Sequence, residues 1–325
     1  MKSRLSLLTA ALILAAVTLP LHAQGFTPAK PVEFVAHTGP GTGADTLVRF
    51  IASAMEKEKI LPVRMQVVNK PGGGGLTAIA YLAEKRGDPY TLGTYASVWI
   101  VNSLMREEAK FTMKDLTPVA QLLSEPALLV VKSDAPYRTL KDFIDAAKSS
   151  PGQLKQSGAS VGGRDWMVRQ LLTKHTGANW AFISFPAMGE RMGAVLGGHA
   201  NIMVLEPQEA GEHIRSGSLR PIAQVHDKRL PTFPNVPTIR ESGFEVPNVP
   251  QLRGVVTTPG ISGEALAYWQ DAFARLAKSP TWKKYLAENQ LGDVFLTGAE
   301  LGGFIDDYSN TIRRILLEGG MKVVR

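Results

Sequence analysis

Short apolar runs of strand period alternate along this chain with longer stretches of helical period. Residues 31–36, Pro-Val-Glu-Phe-Val-Ala, read as a strand, and 42–57 as a helix with Leu47, Val48, Ile51, Ala54 and Met55 on one face. Residues 63–68 predict a second strand, 74–85 a second helix and 90–95 a third strand. That order is βαβαβ, the signature of a mostly parallel sheet. A similar unit follows, with strands over 127–131, 154–156, 181–185, 200–205 and 219–225 and helices over 140–148, 166–175 and 187–196. A strand at 254–257 and helices over 262–277, 282–289 and 298–317 complete the chain.

Two such units joined more than once predict an α/β clamshell in which each lobe is a mostly parallel sheet flanked by helices. The crossings are expected near residues 125–127 and 251–254. Residues 24–125 plus 253–325 would then form the first lobe, and 126–252 the second. The proline-rich stretch 231–250 reads as an ordered surface loop.

The first two dozen residues depart from this pattern. Met1-Lys2-Ser3-Arg4 is short and cationic, residues 7–19 are almost unbroken apolar, and Leu21-His22-Ala23 resembles a small-residue cleavage site. This is the layout of a secretory signal peptide over residues 1–23, cleaved after Ala23, which places the mature chain in the periplasm. The chain contains no cysteine. An exported protein without disulfides depends on an ordinary hydrophobic core, and a thiolate nucleophile or metal site is excluded. The formal charge is +7, and losing Lys2 and Arg4 with the signal peptide leaves +5. A modest positive field suits an anionic ligand. The basic residues are scattered among acids, as in Glu56-Lys57-Glu58-Lys59, and form no stripe for nucleic acid.

The candidate chemistry lies in glycine-rich turns. Residues 37–45, His-Thr-Gly-Pro-Gly-Thr-Gly-Ala-Asp, join the first strand to the first helix. Glycine lets the backbone approach a ligand closely, and a helix start offers free N–H groups and the positive end of a dipole. Such a loop can hold a carboxylate without a charged side chain, or it can be a plain turn with Thr42 as N-cap. Gly39, Gly41 and Ala44 also fit G-x-G-x-x-A. However, the second strand ends in Asn69-Lys70, without the acid a dinucleotide ribose requires. Pro71-Gly72-Gly73-Gly74-Gly75 either presents N–H groups or only turns the chain, and no Gly-Lys-Ser/Thr follows it to make a phosphate loop.

Gly158-Ala159-Ser160-Val161-Gly162 fits G-x-S-x-G, so a secreted serine hydrolase using Ser160 is the alternative. Its triad would draw on Glu206 or Glu209 and on His213 or His226. The preceding Gln153-Leu154-Lys155-Gln156 is too polar for the buried strand a nucleophile elbow needs. The turn reads better as a second anion-binding loop, with Ser157 and Ser160 as hydroxyl donors. Arg164, close behind, could grip a second carboxylate or form a surface ion pair with Asp165. The histidines show no metal-ligand spacing, so neither metal nor cofactor is expected.

Several of these segments resemble the extracytoplasmic receptors of tripartite tricarboxylate transporters, the Bug-type receptors. The resemblance runs through Gly39-Pro40-Gly41-Thr42-Gly43-Ala44-Asp45 with Arg49, then through residues 68–75, Val-Asn-Lys-Pro-Gly-Gly-Gly-Gly. It continues in Asp115-Leu116-Thr117-Pro118-Val119, Leu196-Gly197-Gly198-His199-Ala200 and residues 230–243, Leu-Pro-Thr-Phe-Pro-Asn-Val-Pro-Thr-Ile-Arg-Glu-Ser-Gly. The resemblance implies a two-lobed periplasmic-binding-protein (Venus flytrap) fold that binds without catalysis. It implies a small ligand, a di- or tricarboxylate or an aromatic acid, held by backbone N–H groups and hydroxyls from one loop per lobe. By position these are Thr38, Gly39, Gly41 and Thr42 in the first lobe and Ser157, Ala159, Ser160 and Gly162 in the second, with Ser97 after the third strand. The implied partners are transporter membrane subunits or a membrane sensor kinase, with the receptor itself a monomer. This chain departs from the family pattern at Arg164, Asp165 and Glu206, which are expected at the far end of the pocket.

Overall fold

The computed structural model describes residues 25–159, 161–185 and 188–325. The signal peptide with its cleavage site, Ser160, and Ala187 at the predicted start of a helix lie outside the described residues. The first sheet opens with β1 (Val32–Ala36), β2 (Met65–Asn69) and β3 (Thr91–Ala96), joined through α1 (Gly43–Lys57) and α2 (Leu76–Glu84). Helix α3 (Ser97–Met105) follows β3 directly and leads to β4 (Thr117–Glu125). The chain then crosses at Pro126 into the second sheet. That sheet comprises β5 (Ala127–Lys132), β6 (Lys155–Gly158), β7 (Ala181–Ser184), β8 (Ile202–Leu205) and β9 (Leu219–Val225). Helices α4 (Leu140–Ser149), α5 (Arg164–Thr176), α6 (Met188–Leu196) and α7 (Pro207–Arg215) connect its strands. The chain returns through β10 (Gln251–Thr257), α8 (Gly263–Lys278), α9 (Pro280–Glu288), β11 (Gly292–Leu296) and α10 (Gly298–Glu318).

The strand orders are β11-β4-β10-β3-β1-β2 and β7-β6-β8-β5-β9. β1 pairs in parallel with both β2 and β3, and β6 with both β7 and β8. Two reversed strands stand where the chain changes sheet, and β11, antiparallel to β4, is a third that closes one edge of the first sheet. β5 runs antiparallel to β8 and β9, and β10 antiparallel to β3 and β4. A strand arriving from the other lobe enters its sheet from the opposite end, so βαβ logic does not set its direction.

Period-two burial sorts each strand between two cores. Val32, Phe34 and Ala36 face α1, α8 and α9, where Ile51, Trp269, Phe273 and Trp282 are fully buried. All five residues of the predicted α1 stripe are buried. In β5, Leu128 and Val130 join α6 and α7, whereas Ala127, Leu129 and Val131 join a core that continues through α5, α10 and α3 into the first lobe. The proline-rich stretch is ordered around buried Gln224, whose amide donates to the Phe233 and Val236 carbonyls at 2.9 and 2.6 Å. Among the described residues no helix is long and apolar enough to cross a membrane.

Candidate functional site

Local chemistry distinguishes the helices that follow the co-directional strands from α4 and α8, which follow the reversed strands β5 and β10. Thr139, Ser262 and Ser279 cap α4, α8 and α9 with their side chains. No side chain caps α1, α2, α3, α5 or α7, which follow β1, β2, β3, β6 and β8, and α10 is likewise uncapped. A helix start without a capping acceptor leaves N–H donors for an external anion, at the place where α/β sheets bind ligands.

The β1–α1 loop is the best organised of these starts. Its residues Pro40 to Gly43 are exposed, while Asp45, in the first turn of α1, is 2% exposed. The Asp45 Oδ2 atom accepts from the Gly41 N–H at 2.8 Å and from Arg49 Nε at 2.9 Å. Asn69, ending β2, donates from Nδ2 to Asp45 Oδ1 at 2.8 Å and to the Thr38 carbonyl at 2.9 Å. The Arg49 hydrogen bond, then Asn69, hold the Asp45 carboxyl down to about 2. One buried carboxylate thus fixes the loop from three sides, with Gly41 at φ 79°, which only glycine adopts freely. Thr42 occupies the N-cap position, but its hydroxyl turns back to the Gly39 carbonyl at 2.8 Å and against the Thr38 hydroxyl.

The second glycine turn serves packing. Gly75, at φ 101°, lies beneath the Trp99 indole, where a Cβ would come within 2.4 Å of the ring. His37 meets Trp99 edge-on at 5.5 Å. Burial, then the Arg253 charge, push His37 down to about 4, so it is neutral at neutral pH. His37 Nδ1 and Trp99 Nε1 are buried without a partner. Ser97 is consumed internally. Its Oγ accepts from the Leu252 N–H at 2.8 Å and from the Tyr308 hydroxyl at 3.1 Å.

Charges dominate the second lobe. Arg164 opens α5 and is 9% exposed. It donates to the Glu206 carboxylate through NH2 and to the Glu125 carbonyl through NH1 at 3.3 Å. Asp165 is buried and accepts from the Ala159 N–H at 3.1 Å, with Arg191 NH1 3.7 Å away. Burial raises the Asp165 carboxyl, against the pull of Arg164. Burial also opposes the charged form of Glu206, but the Arg164 charge and a hydrogen bond from Glu209 outweigh it and hold Glu206 low. Glu209, at the exposed rim, is raised by partial burial and by Glu206. Ser157 is fully buried and donates to the Arg191 carbonyl at 3.1 Å.

These two regions adjoin. Arg253 of β10 grips Glu125 with two bonds, at 2.9 and 3.1 Å, and its charge reaches His37. The Glu125 carbonyl in turn holds Arg164. Gly162 lies against α3, where a Cβ would meet Met105 Sδ at 3.2 Å. The chain matches the family described as "Tripartite tricarboxylate transporter family receptor" over residues 47–321. It belongs to that receptor family.

Relatives of the receptor include the UPF0065 protein in the gbd 5' region of Cupriavidus necator, 28% identical over 91% of this chain and 89% of that one. Protein BugT of Bordetella pertussis is 25% identical over 95% of each. A TctC solute-binding protein from Polaromonas superposes with a TM-score of 0.78 at 24% identity, over 90% of this chain and 99% of that one. R. palustris Rpa4515, solved with adipate, gives 0.76 at 20% identity over 90% and 98%. MatC of Rhodopseudomonas palustris, solved with bound malate, gives 0.69 at 21% over 89% and 99%. The receptor therefore has the two-lobed fold of periplasmic binding proteins.

Among the residues expected at the site, Thr38, Gly39, Gly41 and Thr42 form one fixed loop. Ala159, Gly162, Arg164, Asp165 and Glu206 gather around the opposing turn. Two expectations change. The hydroxyls of Ser97 and Ser157 are buried and hydrogen-bonded to other protein groups, where exposed donors were expected. The Gly41 N–H is donated to Asp45 and organises the loop from within. A hydrolase relay finds no support, because Glu206 pairs with Arg164 and the His226 ring lies against the Lys228 carbonyl at 2.7 Å. Asp45, Asn69 and Arg191 were not singled out by role from sequence, although Asp45 and Asn69 stand inside the family-like motifs, and Glu209 was named only as a possible relay acid.

Proposed function

We propose that the receptor captures a small carboxylate anion between its lobes and passes it, chemically unchanged, to the membrane subunits of a tripartite transporter. The lobes are residues 24–125 plus 253–325 and residues 126–252, and the mature periplasmic chain begins after Ala23. The carboxylate docks on the start of α1, across Gly39 to Thr42, and the turn from Ala159 to Gly162, with Ser160, closes over it. The carrying observation is the exposed, uncapped start of α1, held rigid by buried Asp45. Preorganised N–H donors bind an anion without reordering, which keeps the entropic cost of binding low. The adipate and malate in two structural neighbours support a carboxylate as the ligand.

A thermal-shift screen of the mature protein against aliphatic and aromatic mono-, di- and tricarboxylates tests this reading. A ligand that binds only the folded state raises the melting temperature, with the logarithm of its concentration once that exceeds Kd. The expected result is a rise with an acid and none with its full amide. No rise with any acid, before or after unfolding and refolding to strip endogenous ligand, rejects a carboxylate ligand.

A further inference from the structure

The charges of the second lobe narrow the ligand further, on the reading just proposed. Arg164 is more than nine-tenths buried, and its two terminal nitrogens are engaged by Glu206 and the Glu125 carbonyl. Its Nε–H is buried without an acceptor. Arg191, from α6, approaches Asp165 at 3.7 Å, and its Nε–H is also buried and unpartnered. Two guanidinium groups thus face two carboxylates, Asp165 and Glu206. Glu209 adds a third carboxyl group beside Glu206. Burial raises the Asp165 carboxyl, while the two arginines and the Ala159 N–H pull toward its ionised form.

A second carboxylate on the ligand would enter a cluster whose positive charges are already matched. It would have to displace Glu206 or Asp165 from an arginine, leaving a carboxylate partly buried and unpaired. What the cluster lacks is not cationic charge but acceptors for two N–H groups. A neutral oxygen accepts from an N–H without adding charge, and buried donors left unsatisfied weigh against any ligand that does not supply one.

We infer that the ligand is a monocarboxylate whose far end carries a neutral oxygen acceptor, an amide, ketone or hydroxyl, facing Arg164 and Arg191. The carboxylate sits on the first-lobe loop and the neutral oxygen on the second. Adipate and malate are bound in two structural neighbours of about one-fifth identity, so the preference rests on this chain's own Arg164, Arg191, Asp165 and Glu206.

The test is isothermal titration of refolded mature protein with matched pairs: succinate against succinamate, adipate against adipamate, and terephthalate against 4-carbamoylbenzoate. Hexanoate serves as a monocarboxylate without an acceptor. The expected result is that, in the pair whose length fits, the amide acid binds at least about tenfold more tightly than the diacid and hexanoate. Glu206→Gln is expected to narrow or reverse the amide preference. Glu209→Gln, which leaves the Arg164 pair intact, is expected to narrow it only above about pH 8, where the wild-type Glu209 carboxyl ionises. A diacid that binds as tightly as its amide acid, or a preference that neither variant moves, overturns the inference. Hexanoate binding as tightly as adipamate overturns the role of the arginine N–H groups while leaving carboxylate capture standing. No binding by any compound rejects the carboxylate reading itself, and this inference with it.

Discussion

The two loop regions of the proposed site are built from different materials. The first lobe presents backbone dipoles, and its one buried acid, Asp45, faces inward to fix the loop. The second lobe assembles arginines and carboxylates, and its charges largely satisfy one another. The difference separates two tasks. Fixed dipoles favour any carboxylate of suitable shape, whereas a matched charge cluster discriminates by what it refuses.

The largest effect should come from the first lobe. Asp45→Ala removes the shared acceptor of the Gly41 N–H, Arg49 and Asn69, so the loop loses three hydrogen bonds to one carboxylate, each worth about 0.5–1.5 kcal/mol or more. Carboxylate affinity is expected to fall by about 100-fold or more in calorimetry, with a lower melting temperature. Unchanged affinity would move the docking site away from this loop. Acid should reproduce part of the loss. The Asp45 carboxyl is lowered from 3.8 to about 2 on folding, so its stabilisation is complete above the ordinary value and disappears as pH falls through about 2.

Gly41→Val comes next. A Cβ there meets open space, so the penalty is conformational, about 1–2 kcal/mol for a left-handed backbone, or roughly tenfold in Kd. Ser97→Ala sharpens the comparison differently. It should lower the melting temperature by a few degrees, since one buried hydrogen bond contributes about 1 kcal/mol, and leave Kd within about twofold. A large loss of affinity at unchanged stability would return Ser97 to the ligand.

The smallest effect belongs to the rim of the charge cluster. Glu209 is raised from 4.5 to about 8, so the folded protein holds this proton more tightly than the unfolded chain. That stabilisation is complete below 4.5 and lost as pH rises through about 8. Between roughly pH 5 and 9 the wild type should lose melting temperature relative to Glu209→Gln, by only about 1–2 °C because solvent screens an exposed group. Parallel curves for the two proteins would remove Glu209 from the proton balance beside Glu206, Arg164 and Arg191.

Much of the fold could be read from periodicity, because α1, α8 and the parallel strands carry clean stripes. Helix α3 was missed because Ser97-Val98-Trp99-Ile100-Val101 continues the apolar run of β3 without a polar break. Strand β4 carries Pro118 and the fully buried Gln121, both of which argue against a central strand in isolation. Gln121 is satisfied by the local Leu123 carbonyl and by two tertiary partners, the Arg253 carbonyl and the Tyr95 hydroxyl. The first loop of the site was legible because its chemistry is local. The second was not, since Arg164, Arg191 and Glu206 come from three separate helix starts and converge only through the packing of the sheet.

The strand β10 lies between β3 and β4, yet it follows the whole second lobe in sequence. A chain that emerges from its amino end presents β3 and β4 long before their shared neighbour exists. The strands of the second sheet, by contrast, all come from residues 127–225. Assembly order is therefore inverted relative to chain order, and the lobe made second is finished first. Throughout that interval two unpaired strand edges of the first lobe are open to foreign chains. A chain cut short before Gln251 would keep a complete second sheet and carry those edges permanently, which makes truncation a sharper hazard to solubility than its length alone suggests.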